Sequence, residues 1–205
     1  EGMALVCSRG ALMSALPQDG SMLAVFADES VVGPLVDKRD DVDISGVNNP
    51  GEVVLSGHTQ GIESLEKTLE DKGIRTLRLR VSHAFHSALM EPMLDTFEAA
   101  ADQVNWQPTR IPVVSNLDGK LAGDRLLKGD YWRKHVRNAV RFADGMATLA
   151  DEGYGLFLEL GPRATLSAMG AGCLADQQAR FVSSMHKDMS ELQGLLQSLG
   201  ELWCE

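Results

Sequence analysis

Cysteine is scarce: Cys7, Cys173 and Cys204 are the three in 205 residues, far apart and without a Cys-x-x-Cys pair. That pattern argues against both a disulfide framework and a zinc site, and it fits a reducing compartment, so a cytoplasmic location is expected. Long apolar runs are lacking too. No stretch reaches the roughly 18 residues that a membrane-spanning helix needs, and no charged start followed by an apolar core marks a signal peptide. Positive charge is in deficit, 19 Lys and Arg against 29 Asp and Glu, for a formal net charge of −10. A sequence-independent hold on nucleic acid or on an anionic membrane is therefore not expected. Internal repeats and low-complexity segments are missing as well. The absence with most chemical weight is the Gly-x-Ser-x-Gly turn, the strained elbow that exposes a nucleophilic serine, which occurs nowhere from Glu1 to Glu205.

What is present is enough to fold. Apolar residues make up 44% of a 22.2 kDa chain, ample for one large domain or two small ones. The opening, Glu1 to Gly10, reads like the middle of a helix. Met22 to Ala27 reads as a strand, and Glu29 to Asp37 as a short helix capped by Asp28. Two further strands, Ile44 to Asn48 and Glu52 to Ser56, are joined across Asn49-Pro50-Gly51. Ile62, Leu65 and Leu69 fall at helical spacing, Gly73 closes that helix, and Ile74, Leu77 and Leu79 lie in another strand. The order β-α-β-β-α-β over residues 21–81 is the split βαβ pattern of a ferredoxin-like subdomain.

Beyond residue 86 the pattern lengthens. Leu89, Met93, Phe97 and Ala100 predict a helix over Ser87 to Gln103 that tolerates Pro92 in its first turns. Ile111 to Ser115 reads as a strand, Tyr131 to His135 and Phe142 to Ala150 as helices, and Leu156 to Leu160 as a strand. Helix Ala164 to Leu174, strand Arg180 to Ser184 and helix Ser190 to Trp203 follow. Alternation of this kind indicates part of an α/β layered sheet, with too few strands to close a doubly wound one. An N-terminal portion outside these residues is therefore expected.

Two histidines, His83 and His86, stand three apart where a strand gives way to a helix. A histidine there can act as a general base near neutral pH. Val81-Ser82-His83-Ala84-Phe85-His86-Ser87-Ala88-Leu89-Met90-Glu91-Pro92-Met93 follows Val47-Asn48-Asn49-Pro50-Gly51-Glu52-Val53-Val54-Leu55-Ser56-Gly57 and precedes Phe157-Leu158-Glu159-Leu160-Gly161-Pro162. In motif, order and separation the chain resembles the acyltransferase domain of a polyketide synthase, in the malonyl-coenzyme A:acyl carrier protein transacylase family. The resemblance implies an α/β fold: an α/β-hydrolase-like large subdomain with an inserted ferredoxin-like small one. Residues 1–20 and 82–188 would belong to the large subdomain, 21–81 to the small one, and 189–205 to the start of the linker that follows such domains.

The resemblance also implies a set of roles. His86 corresponds to the catalytic histidine, and the serine it would activate lies in a Gly-His-Ser-x-Gly turn outside this chain. A backbone carbonyl near Asn138 to Phe142 would orient the imidazole, which makes Asn138 and Arg141 candidates. Arg9 matches the arginine that pairs with the free carboxylate of a malonyl group, its fork of N–H donors suited to that geometry. Met13, one helical turn on, is a candidate pocket wall. His83, Ala84 and Phe85 bear on substrate choice, since His-Ala-Phe-His at this place resembles malonyl-selective domains, and Asn48 sits in a turn near the acyl tunnel. Glu159 has no paired acid and is not a catalytic candidate. The implied substrate is malonyl-coenzyme A, with no tightly bound cofactor. Implied partners are an acyl carrier protein with its phosphopantetheine, and the adjacent ketosynthase and linker domains. The alternative is a non-catalytic remnant that binds a carrier protein or scaffolds its neighbours. The last helix carries Leu192, Leu195, Leu196, Leu199 and Trp203 as an apolar stripe expected to pack on its own body or on a neighbour.

Overall fold

A computed structural model of the chain describes residues 1–204. It divides into two compact units, Glu1–Gly145 and the segment from Met146 onward.

The first unit holds a four-stranded sheet built from β1 (Gly20–Val25), β2 (Val42–Asn49), β3 (Glu52–His58) and β4 (Thr76–Arg78) in the order β2-β3-β1-β4. Every neighbouring pair is antiparallel. That order is what a split βαβ unit produces, because the helices α2 (Glu29–Val36) and α3 (Thr59–Asp71) each carry the chain across the sheet. The cause is visible in the side chains. Leu23, Val25, Val53 and Leu55 project from one face, as period-two alternation requires, and meet Val32, Ile62, Leu65 and Leu69 of the two helices. Asp28 caps α2 by accepting from the Ser30 N–H at 2.8 Å, and Gly73 takes φ +74° where α3 ends. The two-residue turn Pro50-Gly51 joins β2 to β3, with the Asn49 side chain accepting from the Gly51 N–H at 2.9 Å.

A separate core lies among the helices α1 (Gly2–Ser14), α4 (Glu91–Asp102) and α5 (Gly129–Arg137), where Met13, Met90, Met93, Leu94, Phe97 and Val136 pack together. The predicted helix over Ser87 to Gln103 starts with a 3₁₀ turn, Ala88–Met90, before α4 takes over with Pro92 in its first turn. The expected strand over Ile111 to Ser115 does not form. Only Val114 bridges, to Leu121, because Pro112 has no N–H to give a ladder and Ile111 is 77% exposed.

The second unit continues helix α6 (Phe142–Asp151), then pairs β5 (Leu156–Glu159) with β6 (Arg180–Ser183) in parallel, joined through α7 (Thr165–Cys173). Its last helix, α8 (Glu191–Trp203), packs by small residues. Ser198 donates to the Ser183 carbonyl at 2.6 Å, and Gly194 lies against the backbone of Ser184 and Met185. The leucine stripe does not pack on this body: Leu192, Leu195, Leu196, Leu199 and Trp203 are 48–88% exposed. Among the described residues no helix is long and apolar enough to cross a membrane.

Candidate functional site

His86 is the one non-glycine residue among those described with a positive φ, +58°. A left-handed histidine costs on the order of 1–2 kcal/mol, so the surrounding contacts must impose it. They can be traced. Ser87 donates its hydroxyl to the Ala84 carbonyl at 2.7 Å and accepts from the Leu89 N–H at 3.3 Å. Asp43 on β2 accepts from the Ala88 N–H at 2.8 Å, and the same carboxylate pairs with Arg137 at 3.2 Å. The loop is thus fastened to the sheet on one side and to α5 on the other.

The imidazole itself is oriented by a main-chain oxygen. Nδ1 of His86 lies 2.9 Å from the Asn138 carbonyl. A carbonyl only accepts, so Nδ1 carries the proton and Nε2 keeps a lone pair. The carbonyl is held in turn by its neighbours. Val47 donates to the Val140 carbonyl at 2.9 Å, and Val140 donates to Ser45 at 2.9 Å, across a bulge in β2. Arg141 does not reach the imidazole. Its guanidinium pairs with Glu29 of α2 at 2.6 Å and with Asp144 at 2.5 Å, and these acids hold its pKa above the ordinary value. Orientation therefore falls to the backbone of Asn138, and Arg141 anchors the segment that carries it.

A cleft of about 560 Å³ opens beside His86, walled by Arg9, Met13, Met22, Leu79, Val81 and Phe85. Four of the predicted residues, Arg9, Met13, Phe85 and His86, meet there. His83 and Ala84 do not line it; they are 3% and 1% exposed behind the wall. Asn48 is also absent from its lining and donates instead to Glu52 across the β2–β3 hairpin at 2.8 Å. Arg9 projects from α1 and forms no ion pair among the described residues; burial without a balancing acid pushes its pKa down. A desolvated guanidinium facing an apolar cleft gains from pairing with an anion. Burial likewise lowers the His86 pKa; the Asn138 carbonyl opposes this in part, while the Arg9 charge adds to it. Burial and the Arg9 charge both favour the neutral ring, whose Nε2 lone pair is free to take a proton.

One residue of this environment escapes detection from sequence. His135 of α5 stands edge-on to His86, ring centroids 6.2 Å apart, and packs on Trp132 and Tyr131. Burial, with the charges of Arg9 and His86, lowers its pKa to about 4. Its Nδ1 is buried without a hydrogen-bond partner among the described residues. Glu159 acts away from the chemistry. It accepts from the N–H groups of Thr165, Leu166 and Ser167 at 3.1, 3.0 and 2.7 Å at the start of α7. Burial alone would raise its pKa, but those donors hold it low.

Residues 1–203 match the acyl transferase domain family. The chain is 42% identical over 205 residues to polyketide synthase GfsA of Streptomyces halstedii, covering 98% of this chain and 3% of that protein. It is 43% identical over 187 residues to the mycoketide-CoA synthase of Mycobacterium tuberculosis (strain ATCC 25618 / H37Rv), covering 91% and 4% respectively. The acyltransferase domain from the second module of the salinomycin polyketide synthase superimposes with a TM-score of 0.93 at 44% identity, over 97% of this chain and 47% of that one. The acyl transferase domain of SpnD, in complex with 2-(pent-4-yn-1-yl)malonyl, gives a TM-score of 0.91 at 29% identity, over 98% and 50%. The chain thus spans about half the length of these solved structures.

Proposed function

This chain belongs to the acyl transferase domain family, and on that premise we propose that it supplies the base and the acyl cleft of a malonyl-transferring domain in a polyketide synthase. In this reading the nucleophile is a serine that these 205 residues do not supply, since no Gly-x-Ser-x-Gly turn occurs among them. Nε2 of His86 takes the serine proton as the hydroxyl oxygen attacks the thioester carbonyl of malonyl-coenzyme A. The tetrahedral intermediate then collapses, the carbon–sulfur bond breaks, and the imidazolium returns the proton to the departing coenzyme A thiolate. In the second half the phosphopantetheine thiol of an acyl carrier protein gives its proton to Nε2 and attacks the acyl-serine ester. Collapse frees the serine oxygen, which recovers that proton. Throughout, the Asn138 carbonyl steadies the Nδ1–H, so the same nitrogen gives and takes at every step.

Arg9 accounts for substrate choice. Its two parallel N–H groups fit the free carboxylate of malonyl, and an acetyl group would leave the guanidinium buried and unanswered. Phe85 occupies the wall where an α-methyl branch would need room. A difference of one carbon is worth only about 1–3 kcal/mol, so rejection of methylmalonyl is real but leaky.

The observation that carries this reading is the meeting of an uncompensated arginine and a correctly oriented, neutral imidazole in one apolar cleft. The test is intact-mass measurement of the full-length synthase after exposure to competing malonyl-, methylmalonyl- and acetyl-coenzyme A. A malonyl adduct is expected, and His86→Ala should slow its formation and transfer by roughly 10²–10⁴-fold. Unchanged transfer in that variant removes His86 from the chemistry, and a domain that folds yet loads no acyl group supports a binding or scaffolding role instead.

A further inference from the structure

We propose that His83 is a positioning residue for the acyl cleft: the hydrogen bond from its Nε2–H to the Leu16 carbonyl sets the spacing between Arg9 on α1 and His86 on the loop, and thereby the preference for acyl groups bearing a free carboxylate. The inference rests on the roles given above to Arg9 and His86, and it accounts for a histidine that stands in the selectivity motif without touching the cleft.

His83 is 3% exposed. Nε2 lies 3.1 Å from the Leu16 oxygen, across 67 residues of sequence; facing a carbonyl, that nitrogen must carry the proton. Nδ1 lies 2.9 Å from the Ser82 hydroxyl, so both ring nitrogens are engaged. Leu16 is no loose acceptor. It sits two residues past the end of α1, and its own N–H donates to the Met13 carbonyl at 3.2 Å. The strut therefore grips the last turn of the helix that presents Arg9 and Met13. At its other end it grips the backbone three residues before His86.

Two neighbours remove the slack on either side of the strut. Ala84 lies so close to Gly20 that a Cβ built on Gly20 would stand 2.5 Å from the Ala84 Cβ, which fixes the height of the loop over β1. The His83 ring lies 6.1 Å from that of Phe85, centroid to centroid, and so backs the wall of the cleft. Removal of the strut frees α1 to shift against the loop. A bidentate hold on a carboxylate tolerates little displacement, and a misplacement of about 1 Å can cost on the order of 10²-fold. An acetyl group makes no use of Arg9, so the shift should penalise malonyl far more than acetyl.

The experiment compares malonyl with acetyl loading in the full-length synthase carrying His83→Leu, His83→Asn or His83→Gln, each checked for native circular dichroism. Glutamine extends an amide to the level of Nε2 and can still donate to Leu16, whereas asparagine reaches only the level of Nδ1. For the leucine and asparagine variants, the malonyl-to-acetyl ratio of kcat/KM should fall by roughly 10- to 100-fold, with acetyl loading near that of the unaltered protein. The glutamine variant should restore most of the ratio. If the leucine variant does not fold, the asparagine and glutamine pair still decides. A folded asparagine variant with undiminished preference, or one that loses both acyl groups equally, overturns the inference; so does a folded glutamine variant that fails to restore the ratio. If instead the unaltered synthase loads no malonyl at all, the proposed function itself is what fails.

Discussion

The properties of His86 follow from which of its nitrogens is occupied and from what else lies in the cleft. The Asn138 carbonyl claims Nδ1 at 2.9 Å, which leaves the Nε2 lone pair free, and the Arg9 charge disfavours a second cation beside it. Arg9→Ala should therefore have two effects that a simple packing defect would not combine. Discrimination against acetyl-coenzyme A should erode by roughly 10- to 100-fold, the value of a charge-assisted hydrogen-bonded pair. With that neighbouring charge gone the His86 pKa should rise, so the acidic limb of the kcat/KM profile should move to higher pH. Competition assays across a pH series measure both; a profile that stays in place would show that the guanidinium does not act on the imidazole. Arg9 and His86 were singled out from sequence because the residues around them form an extended motif, and the fold brings both to one cleft. His135 was not, since nothing in its sequence spacing says that Trp132 and Tyr131 bury it against the same site.

The elements that hold the site are tied together by side chains whose sequence neighbours give no hint of the partner. Asp43 on β2 accepts from Ala88 at the start of the helix after His86 and pairs with Arg137 of α5, joining three parts of the chain. Asp43→Ala should leave the Ala88 N–H without its acceptor and Arg137 with Glu91 as its remaining partner, and cost about 1–3 kcal/mol. Loading should slow in step as His86 loses its support, whereas Asp43→Asn, which keeps an acceptor, should retain most of the activity. Leu55→Ala, in the core between sheet and helices, should cost more, about 2–5 kcal/mol, without altering selectivity. Urea melts and loading assays on both variants separate the two; a loss of selectivity in Leu55→Ala would mean that the sheet core and the cleft are not independent. Alternation and helical spacing made the split βαβ order readable, because each strand carries its apolar face in its own residues. The segment Ile111 to Ser115 shows the limit of that reasoning: β-branched residues make a strand only where a partner strand meets them, and Pro112 withholds a donor. The bulge that lets Val140 pair with β2 was equally hidden, since it depends on a contact between residues as distant in sequence as Gly46 and Val140.

Acid should unfold the protein in two stages, because two kinds of titrating group pull in different pH ranges. With 19 basic and 29 acidic side chains the chain is strongly anionic at neutral pH, and its isoelectric point is near 4.9, so charge repulsion relaxes as acid is added and does not by itself drive unfolding there. His135 does. Its folded pKa, about 4, lies below its ordinary 6.5, so the unfolded chain binds the extra proton first and stability falls as pH drops through that interval. His86 is shifted in the same direction. A shift of this size corresponds to roughly 3 kcal/mol at full desolvation and to less for a half-buried ring. The second stage belongs to carboxylates held low by their partners, Asp41 by Arg39, Asp118 by Arg125 and Glu159 by the amides of α7. Their contribution is present above the ordinary carboxylate range and is lost only as pH falls through their lowered values. His135→Phe keeps the aromatic packing, removes the buried Nδ1 that has no partner among the described residues, and cannot be protonated. It should therefore match or exceed the unaltered chain at pH 7 and exceed it by a wider margin at pH 5, leaving the lower stage untouched. Urea melts of the chain at the two pH values measure that margin. Equal margins at pH 7 and pH 5 would show that the ring of His135 is not what acid attacks first.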